Sequence, residues 1–218
     1  PDRVNAGRRH DVGIAVAKRA RQQRREDHRV VSRLPRGSEV FAGAGSNIGD
    51  GGALFLLTRD TSDIRIAGWG ESSDAHHLSA PDPEGGGAEL AIGEALSHAG
   101  VGAGDIAYIN LHGTATRLND AMEAQVTHRL FGSDTPCSST KSLTGHMLGA
   151  AGSGEAAFLA MALQRRLAPP HVWDGEADPD LPALHLADRI GERVDGRYMM
   201  SCSYAFGGNN MALILARE

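Results

Sequence analysis

The apolar pattern is clearest between Ala150 and Leu163, where little besides Ser153 and Glu155 interrupts a nearly continuous apolar run. A helix that is apolar almost all round belongs in a protein interior, and this one is too short to cross a bilayer. From Ala88 to Ala99, Ala88, Ile92, Ala95, Leu96 and Ala99 share one helical face, and Gly100 supplies the stop. A third helix starts at Asp120 and carries Met122, Val126 and Leu130. Strand-length apolar runs fall at Ala53–Leu57, Ile64–Gly70, Ile106–Leu111, Tyr198–Tyr204 and Met211–Ala216. The last two flank Ala205-Phe206-Gly207-Gly208-Asn209-Asn210, which predicts a hairpin closed by a glycine turn. Ser72–Gly87 and Trp173–Arg197 read as connections. Ser138–Thr144 reads as a strand end and loop, with Cys137 in the short strand before it.

Pro1–Val40 has no clean period. Charge sharpens that contrast. Eleven of the 22 Lys and Arg, but five of the 27 Asp and Glu, lie in this stretch, so a basic head precedes an acidic body. An arm for a nucleic acid or an acidic partner is one reading of the head; too few patterned apolar residues for a core favours a solvated or disordered one. The expected division is a basic, non-native or disordered head over residues 1–45 and a folded domain over 46–218. The net charge of −5 argues against a general nucleic-acid binder. No apolar run is long enough for a membrane span, and no signal-peptide pattern opens the chain. Cys137 and Cys202, the two cysteines, make no disulfide framework, so a reduced, cytoplasmic setting is expected.

Candidate chemistry gathers in a few places. The glycines of Gly43–Gly52 lack a P-loop lysine and lead into no helix, which excludes a phosphate cradle. His76 and His77 have nothing nearby to complete a metal site. Neither a cofactor nor a metal is expected. Lys141 lies five residues before His146 at a strand-to-helix turn, which can put both into one pocket. His112 ends an apolar strand and runs into Gly113-Thr114-Ala115-Thr116; it reads equally as an active-site imidazole or as a core histidine bonded to backbone. Asp120 and Glu123 have capping-box spacing, which accounts for both. Cys137 reads as a small buried hydrophobe. The glycine turn would free backbone N–H groups to face a cleft and hold an oxyanion.

Together, His112-Gly113-Thr114-x-Thr116, Asp120, Glu123, Ser139-Thr140-Lys141-Ser142-x-x-Gly145-His146-x-x-Gly149-Ala150-Ala151-Gly152 and Phe206-Gly207-Gly208-x-Asn210 closely resemble the β-ketoacyl-[acyl carrier protein] synthases. The likeness runs from about Asn47 to Arg217. It implies the C-terminal half of an α/β, thiolase-like layered fold, a mixed sheet with helices on both faces. It implies decarboxylative Claisen condensation of an acyl thioester with malonyl carrier protein, in fatty acid or polyketide synthesis. By the resemblance, His112 and His146 would donate N–H groups to the enolate oxygen. Lys141 would orient the site through Glu123, with Asp120 and Thr114 in support. Phe206 would gate the nucleophile, with its N–H in the oxyanion hole beside Gly207 and Gly208. The two imidazoles are expected on one side of the sheet, Lys141 near Glu123, and Phe206 on the same cleft. Arg117-Leu118-Asn119 departs from the usual Pro-x-Gly, and Ala205 replaces a common glycine. Neither Cys137 nor Cys202 matches the nucleophile motif, so the nucleophile is expected outside this chain and the chain alone inactive. The implied partners are acyl carrier protein, through its phosphopantetheine-bound acyl and malonyl groups, and a second subunit in a homodimer or heterodimer. The alternative is a non-catalytic fragment that binds carrier protein or a partner subunit.

Overall fold

Successive strand residues face opposite sides of a sheet, so apolar residues at neighbouring positions demand cover on both faces. In the computed structural model that cover comes from helices. The structure describes residues 13–16, 46–59, 61–173, 175, 177–187 and 192–218. Its strands are β1 (Gly13–Val16), β2 (Phe55–Thr58), β3 (Ile64–Ser73), β4 (Ile106–Asn110), β5 (Pro136–Ser138), β6 (His185–Leu186), β7 (Tyr198–Ala205) and β8 (Asn209–Arg217). Its helices are α1 (Gly86–Ala99), α2 (Arg117–Phe131), α3 (Lys141–Thr144) and α4 (Ala151–Arg165).

The strands form one mixed sheet in the order β2-β1-β3-β8-β7-β4-β5-β6. β7 and β8 make the expected antiparallel hairpin, β3 adds antiparallel to β8, and β4, β5 and β6 continue parallel from β7. One core joins Ala88, Ile92 and Ala95 of α1 and Met122 and Val126 of α2 to Ile109, Met200, Cys202 and Ile214 of the sheet. The other joins Leu159, Ala160 and Leu163 of α4 to Tyr108, Met199 and Leu215. Neighbouring residues in β4, β7 and β8 thus serve opposite cores, and α4 is the buried helix that its composition demands.

Close approach sets glycine on β3. A Cβ on Gly68 would lie 2.2 Å from the Ala95 carbonyl oxygen, and one on Gly70 2.0 Å from that of Ala91. α1 therefore rests directly on the strand. At its end Gly100, in the left-handed region at φ 68°, donates its N–H to the last-turn carbonyls.

Local structure departs from the sequence expectation in several places. Lys141–Thr144 is a short helix rather than a loop, so the lysine begins a helical turn. β6 has two residues, too few for any period, inside the connection Trp173–Arg197. Gly13–Val16, within the basic head, pair antiparallel with β2. The rest of the head expected over residues 1–45 lies outside the described residues.

Candidate active site

Parallel pairing aligns the C-terminal ends of β4 and β5, with Asn110 opposite Ser138 and the Leu111 N–H donating to the Ser138 carbonyl at 2.9 Å. The turns that follow carry His112 and Lys141 and therefore emerge side by side. His112 is buried, 6% exposed. Glu123, on α2 and fully buried, accepts the N–H groups of His112 at 2.6 Å and Gly113 at 2.7 Å. One carboxylate thus fixes the backbone of the histidine turn.

Lys141 has three donors and finds three acceptors: the His112 carbonyl oxygen, Glu155 Oε1 on α4, and His112 Nδ1 at 3.4 Å. Both members of the Lys141–Glu155 pair are buried. Desolvation pushes the Glu155 carboxyl up, and the ammonium pulls it back. Buried charges persist only when paired in this way.

His146 reaches the site from the other side of the turn. Its N–H donates to the Asn47 carbonyl at 2.7 Å, and its carbonyl accepts the Gly49 N–H at 3.1 Å. Gly145, at φ 71°, permits the approach, because a Cβ there would meet the Gly49 Cα at 2.7 Å. The His146 ring stands edge-on to that of His112, centroids 5.6 Å apart and planes at 87°. Its Nδ1 accepts the Leu148 N–H at 3.3 Å, so the neutral ring carries its proton on Nε2. Desolvation first, then the nearby Lys141 charge, lowers the pKa of both imidazoles, and His146 adds a further lowering at His112. Two neutral rings beside one ammonium can donate N–H groups to an oxygen that gains negative charge.

The model of the beta-ketoacyl synthase C-terminal domain matches residues 64–173, half of the chain. The chain belongs to the β-ketoacyl synthase family. It is 37% identical over 181 residues to a Staphylococcus aureus 3-oxoacyl-[acyl-carrier-protein] synthase 2, covering 78% of this chain and 44% of that protein. It is thus similar to something under half the length of that relative. Among solved structures it is similar to the ketosynthase ApeO in complex with its chain length factor ApeC from Xenorhabdus doucetiae, with a TM-score of 0.73 and 49% identity over 76% of this chain and 42% of that one. The ishigamide ketosynthase/chain length factor superposes with a TM-score of 0.75 at 30% identity, covering 84% of this chain and 48% of that chain. The fold is the thiolase-like layered fold of these ketosynthases.

Against the synthase pattern, the structure brings some expected residues together and reassigns others. The hydrogen-bonded carboxylate of Lys141 is Glu155, not Glu123; Glu123 is occupied by two backbone N–H groups and acts on the ammonium only through its charge. The capping box is absent. α2 begins at Arg117 with Thr116 as its N-cap and no side-chain cap bond, and Glu123 instead reaches back to the histidine turn. Asp120 is buried beside Glu123; desolvation and then the Glu123 charge push its carboxyl up to about 8. Thr114 Oγ1 bonds Thr116 Oγ1 at 2.9 Å, and its carbonyl accepts the Ser46 hydroxyl.

The glycine turn also differs from expectation. The Gly207 N–H donates to the Leu78 carbonyl at 2.8 Å and the Gly208 N–H to that of Ala205 at 3.2 Å, so both are spent within the fold. Phe206 lies 81% exposed on this turn. It is two residues beyond Tyr204, whose ring sits 5.8 Å from that of His112. Cys137 and Cys202 are buried, and desolvation raises both thiols well above their ordinary range, the reverse of an activated nucleophile. Glu155 was the overlooked site residue. Its signal was present: a single carboxylate in an otherwise apolar helix requires a buried partner.

Proposed function

We propose that this chain carries the histidine–lysine part of a decarboxylative condensing site that acts on acyl and malonyl thioesters of an acyl carrier protein. The observation that carries it is the pair of neutral imidazoles meeting edge-on beside Lys141. In the reaction, the carbon–carbon bond to the malonyl carboxylate breaks and carbon dioxide leaves. The electron pair passes to the thioester enolate, whose oxygen accepts N–H bonds from His112 and His146. The enolate carbon then attacks the acyl thioester on a cysteine of a nucleophile-bearing half, and the thiolate departs. Lys141, anchored by Glu155, holds the His112 turn. Asp120, Glu123 and Thr114 support that turn, and Phe206, Gly207 and Gly208 form the gate turn at the nucleophile. The ApeO–ApeC pairing supports a related subunit as partner, with carrier protein delivering both substrates. A cytoplasmic setting suits this chemistry, and no described helix is long and apolar enough to cross a membrane.

The buried, unactivated cysteines favour a second reading, a non-catalytic subunit or carrier-protein-binding fragment. Malonyl decarboxylation separates the two. With the chain joined to a nucleophile-bearing half, His146→Ala and His112→Ala should each lower decarboxylation by about 10²–10³, the usual cost of losing one such donor. Acyl transfer to the cysteine should fall less, because the enolate forms only in the second half-reaction. Decarboxylation unchanged in both variants would favour the non-catalytic subunit.

A further inference from the structure

Ser139 is the joint between the lysine and histidine turns. Its hydroxyl donates to the Gly113 carbonyl at 3.0 Å and accepts the Lys141 N–H at 3.4 Å. With one proton to give, Oγ can serve both turns only in this arrangement. Ser139 is itself held from behind. His171, 6% exposed and just past Pro169-Pro170, accepts the Ser139 N–H on Nδ1 at 3.0 Å. The adjacent Ser138 Oγ donates to the Pro169 carbonyl at 2.8 Å and, its proton used, accepts from Tyr108 Oη at 2.6 Å. The segment Pro169–His171 thus straps the start of the lysine turn. The strap is anchored in turn: the His171 N–H donates to the Ala187 carbonyl, and the Trp173 ring lies 6.2 Å from the imidazole at 60°.

We propose that His171 is a positioning residue for this site: by accepting the Ser139 N–H it sets the turn that aims Lys141 at His112. The proposal rests on the condensing reading of the site. It gives a buried imidazole outside the two reacting histidines a defined task, and that task needs an acceptor at Nδ1 rather than bulk.

The first test is spectroscopic and uses the 218-residue chain unaltered. A through-hydrogen-bond 15N–15N coupling should join His171 Nδ1 to the Ser139 amide; its absence from the folded chain would overturn the proposal. The second test uses the chain joined to a nucleophile-bearing half. His171→Leu keeps the bulk and deletes the acceptor. It should lower the kcat of malonyl decarboxylation about tenfold, less than the roughly 10²-fold that a 1 Å displacement costs, with KM for malonyl carrier protein unchanged. His171→Asn returns an acceptor at the δ1 position and should restore kcat to within about threefold. Equal loss in the two variants, or no loss in either, refutes positioning through the hydrogen bond. If His171→Leu does not fold, the Asn variant and the coupling decide. Full decarboxylation in His112→Ala and His146→Ala would sink the condensing reading instead, while leaving the coupling in place.

Discussion

The two histidines of the site are held by different forces. His112 is fastened from the interior: its carbonyl and ring meet Lys141, its N–H meets Glu123, and its ring packs on Tyr204. His146 is half-buried and fastened by backbone, through Asn47, Gly49 and Leu148. Both reach the same electrostatic end, a lowered imidazole pKa. One histidine therefore depends on buried charge, the other on a backbone close approach that only glycine permits. Perturbing charge should disturb His112 first; perturbing the glycine contact should disturb His146 first.

The largest effect belongs to the charged side. Glu155→Gln leaves the Lys141 ammonium buried without its counter-charge, and breaking a buried pair from one side costs about 3–5 kcal/mol. Denaturant unfolding should show that loss, and the His112 ring signals should move further than those of His146. The double replacement Lys141→Met with Glu155→Leu should recover most of the stability, since apolar substitutes for buried pairs are often neutral or better. A loss below about 1 kcal/mol in Glu155→Gln would place the pair among weak surface-like ones.

The same contrast explains what the sequence made legible. Parts set by backbone geometry or by composition left local signals: the apolar run of α4, the stop at Gly100, the hairpin around Phe206-Gly207-Gly208 and the Gly145–His146 motif. Charge-held parts left half a signal at most, a lone carboxylate in an apolar helix that does not name its partner, because the partners lie apart in sequence. Nothing near Lys141 marks Glu155, fourteen residues on, as its partner. The Asp120–Glu123 spacing fits a helix cap as well as a buried clamp, and only tertiary contact with His112 and Gly113 decides between them. His171 follows two prolines in a stretch with no period to mark it, and its ring reaches back thirty-two residues to Ser139.

Gly145→Ala tests the backbone side and should have a smaller effect. Its φ of 71° and the Gly49 contact at 2.7 Å both resist a Cβ. Strained positions of this kind cost about 1–3 kcal/mol. The midpoint of unfolding should drop accordingly, and His146 should lose its Asn47 bond while the Lys141–His112 contact survives. Protection of the His146 amide against hydrogen exchange checks this; undiminished protection would remove the glycine contact from the explanation.

The smallest effect is a pH slope, and its sign separates carboxylates from imidazoles. Asp120 is raised from 3.8 to about 8 and Glu123 from 4.5 to about 7, in both cases chiefly by desolvation. A carboxyl raised in the folded state contributes stability that is full below its unfolded pKa and is lost as pH rises through the folded one. His112 acts in the opposite sense. Its pKa is lowered, so its contribution is present above 6.5 and is lost as pH falls through the folded value. Asp120→Asn removes one titrating carboxyl of the buried pair and relieves the other. Between about pH 4 and 8 the variant should therefore lose less stability on alkalinisation than the parent, while the acid-side loss that belongs to His112 stays. Urea midpoints at unit pH intervals measure the slope. Parallel curves for the two proteins would mean that Asp120 does not titrate in this window, and the pH dependence of the site would then rest on Glu123 and the histidines.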